Sequence, residues 1–186
     1  PLALYMIANA YNDKKDATNT IIFAERMVEA DKTSALSAHS RVMIATALAL
    51  NTKEFDFDKE EKLGRADKLA KEAIEVLKTA PKFNPGLSDE QWEQAKRNYV
   101  GEAYIAMGLS ATVRKNWNGA IEAYKAAAEQ DPGNGPALVR MGAAQASAGK
   151  HDDAIATFDK VIAMEGMDAS IVNIAKGEKE KSVKAK

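Results

Sequence analysis

Residues 116–134 read NWNGAIEAYKAAAEQDPGN, and residues 150–168, displaced by 34 positions, read KHDDAIATFDKVIAMEGMD. Each stretch opens at a turn, runs through apolar residues spaced by three and four, and closes on a breaker, Pro132 with Gly133 in the first and Gly166 in the second. That spacing predicts an amphipathic helix in each stretch. Self-similarity at a fixed period of about 20–50 residues is the mark of stacked repeats. The register holds without a gap over 101–134 and 135–168. Gly108, Ala120 and Ala127 correspond to Gly142, Ala154 and Val161, Tyr104 and Tyr124 to Leu138 and Phe158, and Pro132 to Gly166. Small residues at these points let two antiparallel helices approach closely, while the ring on the second helix fills the space toward the next pair.

Outward from this pair, helical spacing continues through almost the whole chain and no convincing two-residue alternation appears, so the fold is expected to be all-α. Breakers fall at Asn12 and Asp13, at Asp31 to Ser34, in TKEFDFD at 52–58, in PKFNPG at 81–86, at Lys115 to Asn118, in DPGNGP at 131–136, at Gly149 to Asp152, and at Gly166 to Asp168. Between them lie about nine helical segments. Ser88 with Gln91 reads as a capping box, and Asp58 with Glu61 as a similar start to the helix before it.

The pattern at 101–168 resembles the tetratricopeptide repeat family, whose 34-residue helix-turn-helix signature carries a Trp, Leu-Gly and Tyr in its first helix, an Ala and Phe in its second, and a closing Pro. Departures from it are Tyr104 or Leu138 for the Trp, Met107 and Met141 for the Leu, Ala111 and Gln145 for the Tyr, and Gly166 for the Pro. They concern packing. The resemblance implies a right-handed α-solenoid of about four helix-turn-helix repeats plus a capping helix. Diverged copies are read at 1–32, where Ala17, Ile21 and Ala24 belong to a second helix, and at 34–81, with Ala45 in the first helix and Ala66, Ala70 and Ala73 in the second. The regular copies are 88–134, whose first helix is extended at its start, and 135–168. A capping helix at 169–186 is apolar at Ile171, Val172 and Ile174, and its tail from Lys176 reads as a frayed, solubilising end. The opening PLALYMIANAYND lacks an initiator Met and is already helical in spacing, so the chain reads as a piece of something longer, with any targeting signal upstream and the compartment open.

Composition removes several functions. Apolar residues at 46% and charged residues at 28% fit a soluble globular protein, and 26 basic against 27 acidic residues point to neither nucleic acid nor an anionic membrane surface. No apolar run is long enough to span a membrane. The absence of cysteine excludes disulfides, thiolate catalysis and cysteine-bound zinc. Of the two histidines, His151 reads as a packed turn residue, and His39 opens a helix in SALSAHS with no second ligand at metal spacing. Asp56, Asp58, Glu60 and Glu61 lack the glycine and spacing of a calcium-binding loop. Asp152 and Asp153 suit a helix start. Gly133 and Gly135 flank an interhelix turn and make no phosphate loop. No catalytic residue, metal or cofactor is assigned.

Function is therefore expected on a surface. In the family that the chain resembles, the first helix of each repeat lines a concave groove that takes an extended peptide or a partner helix. Carried over by register, that face holds Leu2, Met6 and Asn9, then Val42 and Thr46, then Ile105, Leu109 and Thr112, and finally Val139, Arg140, Ala143 and Ala146. Of the basic and amide residues with which some members bind chaperone C-termini, only Arg140 has a counterpart here, so a clamp for a terminal carboxylate is not expected. The expected occupant of this largely apolar face is an amphipathic helix or a hydrophobic extended segment of a protein partner. Two readings stand beside each other: an external ligand, or filling by the helix around Trp92 and Tyr99, by sequence upstream, or by a second copy in a homo-oligomer. The expectation is a noncatalytic interaction scaffold, with a structural or self-associating segment, or an accessory domain of a larger protein, as alternatives.

Overall fold

The computed structural model describes residues 1–186 as nine helices and no strand. In chain order they are α1 (Leu2–Asp13), α2 (Ala17–Ala30), α3 (Ala35–Asn51), α4 (Lys59–Thr79), α5 (Asp89–Val113), α6 (Trp117–Gln130), α7 (Gly135–Ser147), α8 (His151–Ile162) and α9 (Ala169–Lys184). A helix leaves its first backbone N–H groups unpaired, and short polar side chains at the boundary accept from them. Asp16, Ser34, Ser88, Asn116, Asn134 and Asp168 do this for α2, α3, α5, α6, α7 and α9, with Ser88 and Gln91 forming the full reciprocal box. Asp58 does not cap α4. Its carboxylate instead accepts from Lys62 Nζ at 2.8 Å, one helical turn on, where the ammonium competes better than a backbone amide.

Consecutive helices pack antiparallel as α1/α2, α3/α4, α5/α6 and α7/α8, each second helix packs on the next first helix, and α1 packs on α3 and α3 on α5. Three of the four pairs close by the same device. Lys15, Lys115 and Gly149 adopt left-handed backbone with φ of 58°, 58° and 74°. The next residue in each turn then donates its N–H to the carbonyl of Tyr11, Ala111 or Gln145 at 2.9–3.0 Å. This turn aligns Ala8 with Gly108 and Gly142, and Ala24 with Tyr124 and Phe158. Where the second helix carries a ring the first must carry glycine, because a Cβ on Gly108 or Gly142 would sit 2.4 or 2.6 Å from the Tyr124 or Phe158 ring. In the first pair Ala24 leaves room for the methyl of Ala8, and both are fully buried. The second pair has a longer connection, residues 52–58, in place of the turn.

The largest core runs from α1 to α5 and takes in Val42, Ile44, Leu77 and Trp92. Smaller clusters form around Tyr124, and around Leu138, Phe158, Val161 and Ala175. The extension at the start of α5 is held by this core: Trp92 is buried there and meets the Phe83 ring edge-on at 5.8 Å, and α5 packs on both α3 and α4. The C-terminal tail does not fray as expected. Helix α9 continues to Lys184, buries Ala175 and Ser182, and is tied to α8 by Lys179 with Asp159 at 2.6 Å and Lys186 with Asp152 at 2.5 Å. A capping helix must cover the last repeat's apolar face along its length, and that burial orders the lysines that border α8. No helix is long and apolar enough to cross a membrane.

Candidate functional site

Because first helices lie side by side, their exposed faces form a channel. Asn9, Asn12 and Asp13 of α1, His39, Val42, Met43 and Thr46 of α3, and Glu102 and Ile105 of α5 line a cavity of about 350 Å³. A second cavity of about 440 Å³ lies against it, lined by Asn12, Lys15, Ala17, Thr20, Thr46, Ala47, Leu50 and Asn51, with Arg140 of α7. Asn12 and Thr46 belong to both, so the two are one groove. A larger depression of about 710 Å³ on the α3–α4 face is walled by six charged side chains and a single apolar one, Val76, and gives a ligand almost no apolar anchor.

At one end of the groove a polar link joins three first helices. Tyr5 Oη is 2.9 Å from His39 Nδ1, and His39 Nε2 is 3.0 Å from Glu102 Oε2. The His39 ring also stacks on Tyr99, with centroids 4.5 Å apart and planes at 19°. Burial, with the nearby Tyr99 and Glu102, pushes the Tyr5 hydroxyl above its ordinary pKa, and burial does the same for Tyr99. Both therefore remain neutral hydroxyls at physiological pH. The Glu102 carboxylate can only accept, so His39 Nε2 is the donor in that contact, and the ring joins it to the Tyr5 hydroxyl at Nδ1.

The sequence register and this geometry overlap in part. Asn9, Val42, Thr46, Ile105 and Arg140 come together in the groove, although Val42 shows only its edge at 2% exposure. Met6 and Leu2 are exposed on α1 outside the cavities. Thr112 turns toward its own helix pair, donating to the Gly108 carbonyl at 2.8 Å and lying 3.2 Å from Tyr124 Oη. Val139 and Ala146 pack on the C-terminal cluster, and Leu109 and Ala143 are half-buried beside the groove and line neither cavity. Asn12, Asp13, Lys15, Asn51 and Glu102 join the groove from outside the sequence register. Glu102 precedes Ile105 by three positions and Asp13 follows Asn9 by four, so helical rows carried the signal for both. Lys15 reaches the groove from a turn and Asn51 from a helix end, beyond those rows. Lys15 adds a second cation to the one the register supplied.

No three His, Asp or Glu side chains converge to hold a metal ion. Consecutive helix pairs, a shared groove along their first helices, and a cap together define an α-solenoid. Residues 114–175 match the tetratricopeptide repeat family model. The whole chain also shares its fold with solved structures: MamA, at 19% identity and a TM-score of 0.52 over 96% of this chain and 90% of that one, and a thermophilic TPR protein from Thermus thermophilus, at 16% identity and 0.51 over 99% and 90%. The family match covers residues 114–175, and over the chain as a whole the likeness to these structures is one of fold. No curated protein matches it in sequence. Tetratricopeptide repeat proteins are generally noncatalytic scaffolds that bind protein or peptide partners.

Proposed function

We propose that the chain is a noncatalytic scaffold that holds an extended segment of a partner protein in the groove along α1, α3 and α5. The observation that carries this reading is the groove's lining. Leu50 and Ile105 supply apolar surface, with the edges of the buried Val42, Met43 and Ala47 beneath, while Asn9, Asn12, Thr46 and Asn51 supply side chains that both donate and accept. An extended peptide has free backbone N–H and C=O groups for such amides to meet. A partner helix satisfies its own backbone and would leave them unmatched. Asp13 and Glu102 stand toward one end and Lys15 and Arg140 toward the other, which favours one direction of the bound segment. Trp92 is taken up in the core and Tyr99 is stacked on His39, so the α5 extension occupies only the margin of this channel and leaves its middle to an external ligand.

Panning a random peptide library against the chain, and against a Thr46→Arg variant whose long side chain fills the point shared by both cavities, tests the proposal. Peptides retained by the unmodified chain and lost by the variant support it. A library that yields no binders, or binders equally retained by a variant with an unchanged circular dichroism spectrum, refutes it.

A further inference from the structure

Phe55 and Phe57, in the connection between α3 and α4, are the most exposed large apolar side chains in the molecule, at 91% and 110% of their reference surface. Neither belongs to a core cluster. The loop that carries them is nonetheless tied down. The Lys53 N–H donates to Asp56 Oδ2 at 3.0 Å, and the Asp56 and Lys59 amides donate to the carbonyls of Lys53 and Asp56. Lys62 holds Asp58, and Lys115, from the α5–α6 turn, holds Glu54 at 2.6 Å. The result is a braced projection in which two rings alternate with three carboxylates, Glu54, Asp56 and Asp58. Exposed aromatics on an ordered loop are a ready anchor, since little ordering entropy remains to be lost on docking. The carboxylates set against an anionic lipid surface would be repelled.

A complementary receptor exists at the other end of the chain. Between α8 and α9 lies a cavity of about 460 Å³, whose apolar lining is Ile162 and Val183 and whose rim carries Lys176, Lys179 and Lys184 together with Asp159 and Glu180. Val183 is 55% exposed. Lys179 is paired with Asp159, whereas Lys176 and Lys184 have no carboxylate partner. Rings flanked by carboxylates thus match a recess with two apolar side chains and an excess of cations, three lysines against Asp159 and Glu180. Both rings stand in solvent, so the loop of one chain does not occupy its own recess. We propose that the Phe55–Phe57 loop docks in the α8–α9 recess of a second copy of this chain. Such a contact joins different surfaces of the two copies, and is therefore head-to-tail and free to propagate. It is independent of the peptide groove.

A contact made by one loop is smaller than a standard interface, and association belongs in the concentration range of about 10 µM to about 1 mM. Sedimentation velocity over that range, at low and high salt, reads it directly. The unmodified chain is expected to gain mass with concentration and to lose that gain in high salt. Phe55→Ala with Phe57→Ala removes the loop anchor, and Val183→Glu with Lys184→Glu spoils the recess; all four side chains are solvent-exposed, and circular dichroism checks that both variants fold. Each variant alone should remain monomeric. Mixed together, the first still has a recess and the second a loop, so the mixture should form dimers and nothing larger. A monomeric unmodified chain throughout the range, association that persists in either variant, or a mixture that stays monomeric overturns the proposal.

Discussion

Adding one methyl group at Gly142 should separate two opposing effects that the fold keeps apart. In a helix interior, glycine to alanine gains about 0.8–1.0 kcal/mol through backbone entropy alone. At Gly64 in α4, where nothing lies within 4 Å of the added Cβ, that gain should appear in full. At Gly142 the same methyl meets Phe158 at 2.6, 2.8 and 3.0 Å. Phe158 is fully buried and has no flexible end to move aside. Overpacking of this kind costs about 1–3 kcal/mol, so Gly142→Ala should lie about that far below Gly64→Ala on the same stability scale. The comparison cancels the propensity term. Urea unfolding followed by circular dichroism measures the difference, and thermal melts repeat it at about 2–4 °C per kcal/mol for a chain of this length. If Gly142→Ala proves as stabilising as Gly64→Ala, the close approach of α7 and α8 is not what demands glycine there, and the alignment of Ala8, Gly108 and Gly142 loses its physical basis.

Three further outcomes are expected. Gly149→Ala should cost about 1 kcal/mol in urea unfolding although its Cβ has open space, because φ is 74° and the strain lies in the backbone itself. Ala127→Leu should cost about 1–3 kcal/mol by overpacking the fully buried face of α6, while Lys181→Ala, which removes only an exposed pair with Glu178, should fall within about 0.5 kcal/mol of the unmodified chain. Asp16 is held below the usual carboxylate range by hydrogen bonds from the Asn19 side chain and backbone. Its stabilising contribution is therefore complete above the unfolded value of about 4 and fades as pH falls through the lower folded value. Asp16→Ala should lower Tm at neutral pH by an amount that shrinks below about pH 4, and a deficit independent of pH would refute that assignment.

What could be read from the sequence followed from how strongly each position is constrained. Gly108 and Gly142 announce themselves because a glycine inside a helix is otherwise costly, and Tyr124 and Phe158 repeat at the matching point. The first pair meets the same constraint with Ala8 and Ala24, and alanine is so ordinary in a helix that it marks nothing. The Asp58 cap failed for a local reason, the stronger pull of Lys62. The groove divided along similar lines. Asn9, Val42, Thr46 and Ile105 follow from helical rows, but an apolar or polar stripe about 100° wide covers both a groove face and the flank toward a neighbouring helix. Thr112 lies on that ambiguous margin, and only the position of Tyr124 decides it. Lys15 depends on a left-handed turn whose side-chain direction no periodicity reports.

The same distinction bears on how the groove keeps its shape. In a stacked array each unit touches only its neighbours, so the curvature of a groove is a sum of small rotations, and any looseness between units accumulates across it. Apolar packing between first helices resists separation but only weakly resists sliding. A hydrogen-bonded chain is directional. Tyr5, His39 and Glu102 run in one such chain across α1, α3 and α5, with Tyr99 stacked on the imidazole, and they border the cavity that holds Asn9, Asn12 and Thr46. On the proposed reading, the link fixes the spacing of α1 and α3, whose Asn9, Asn12 and Asn51 meet a partner's backbone, and of α5, which brings Glu102 and Ile105 to the same groove. Binding then need not supply the ordering of the groove, which is where a shallow, partly polar site would otherwise lose most of its affinity.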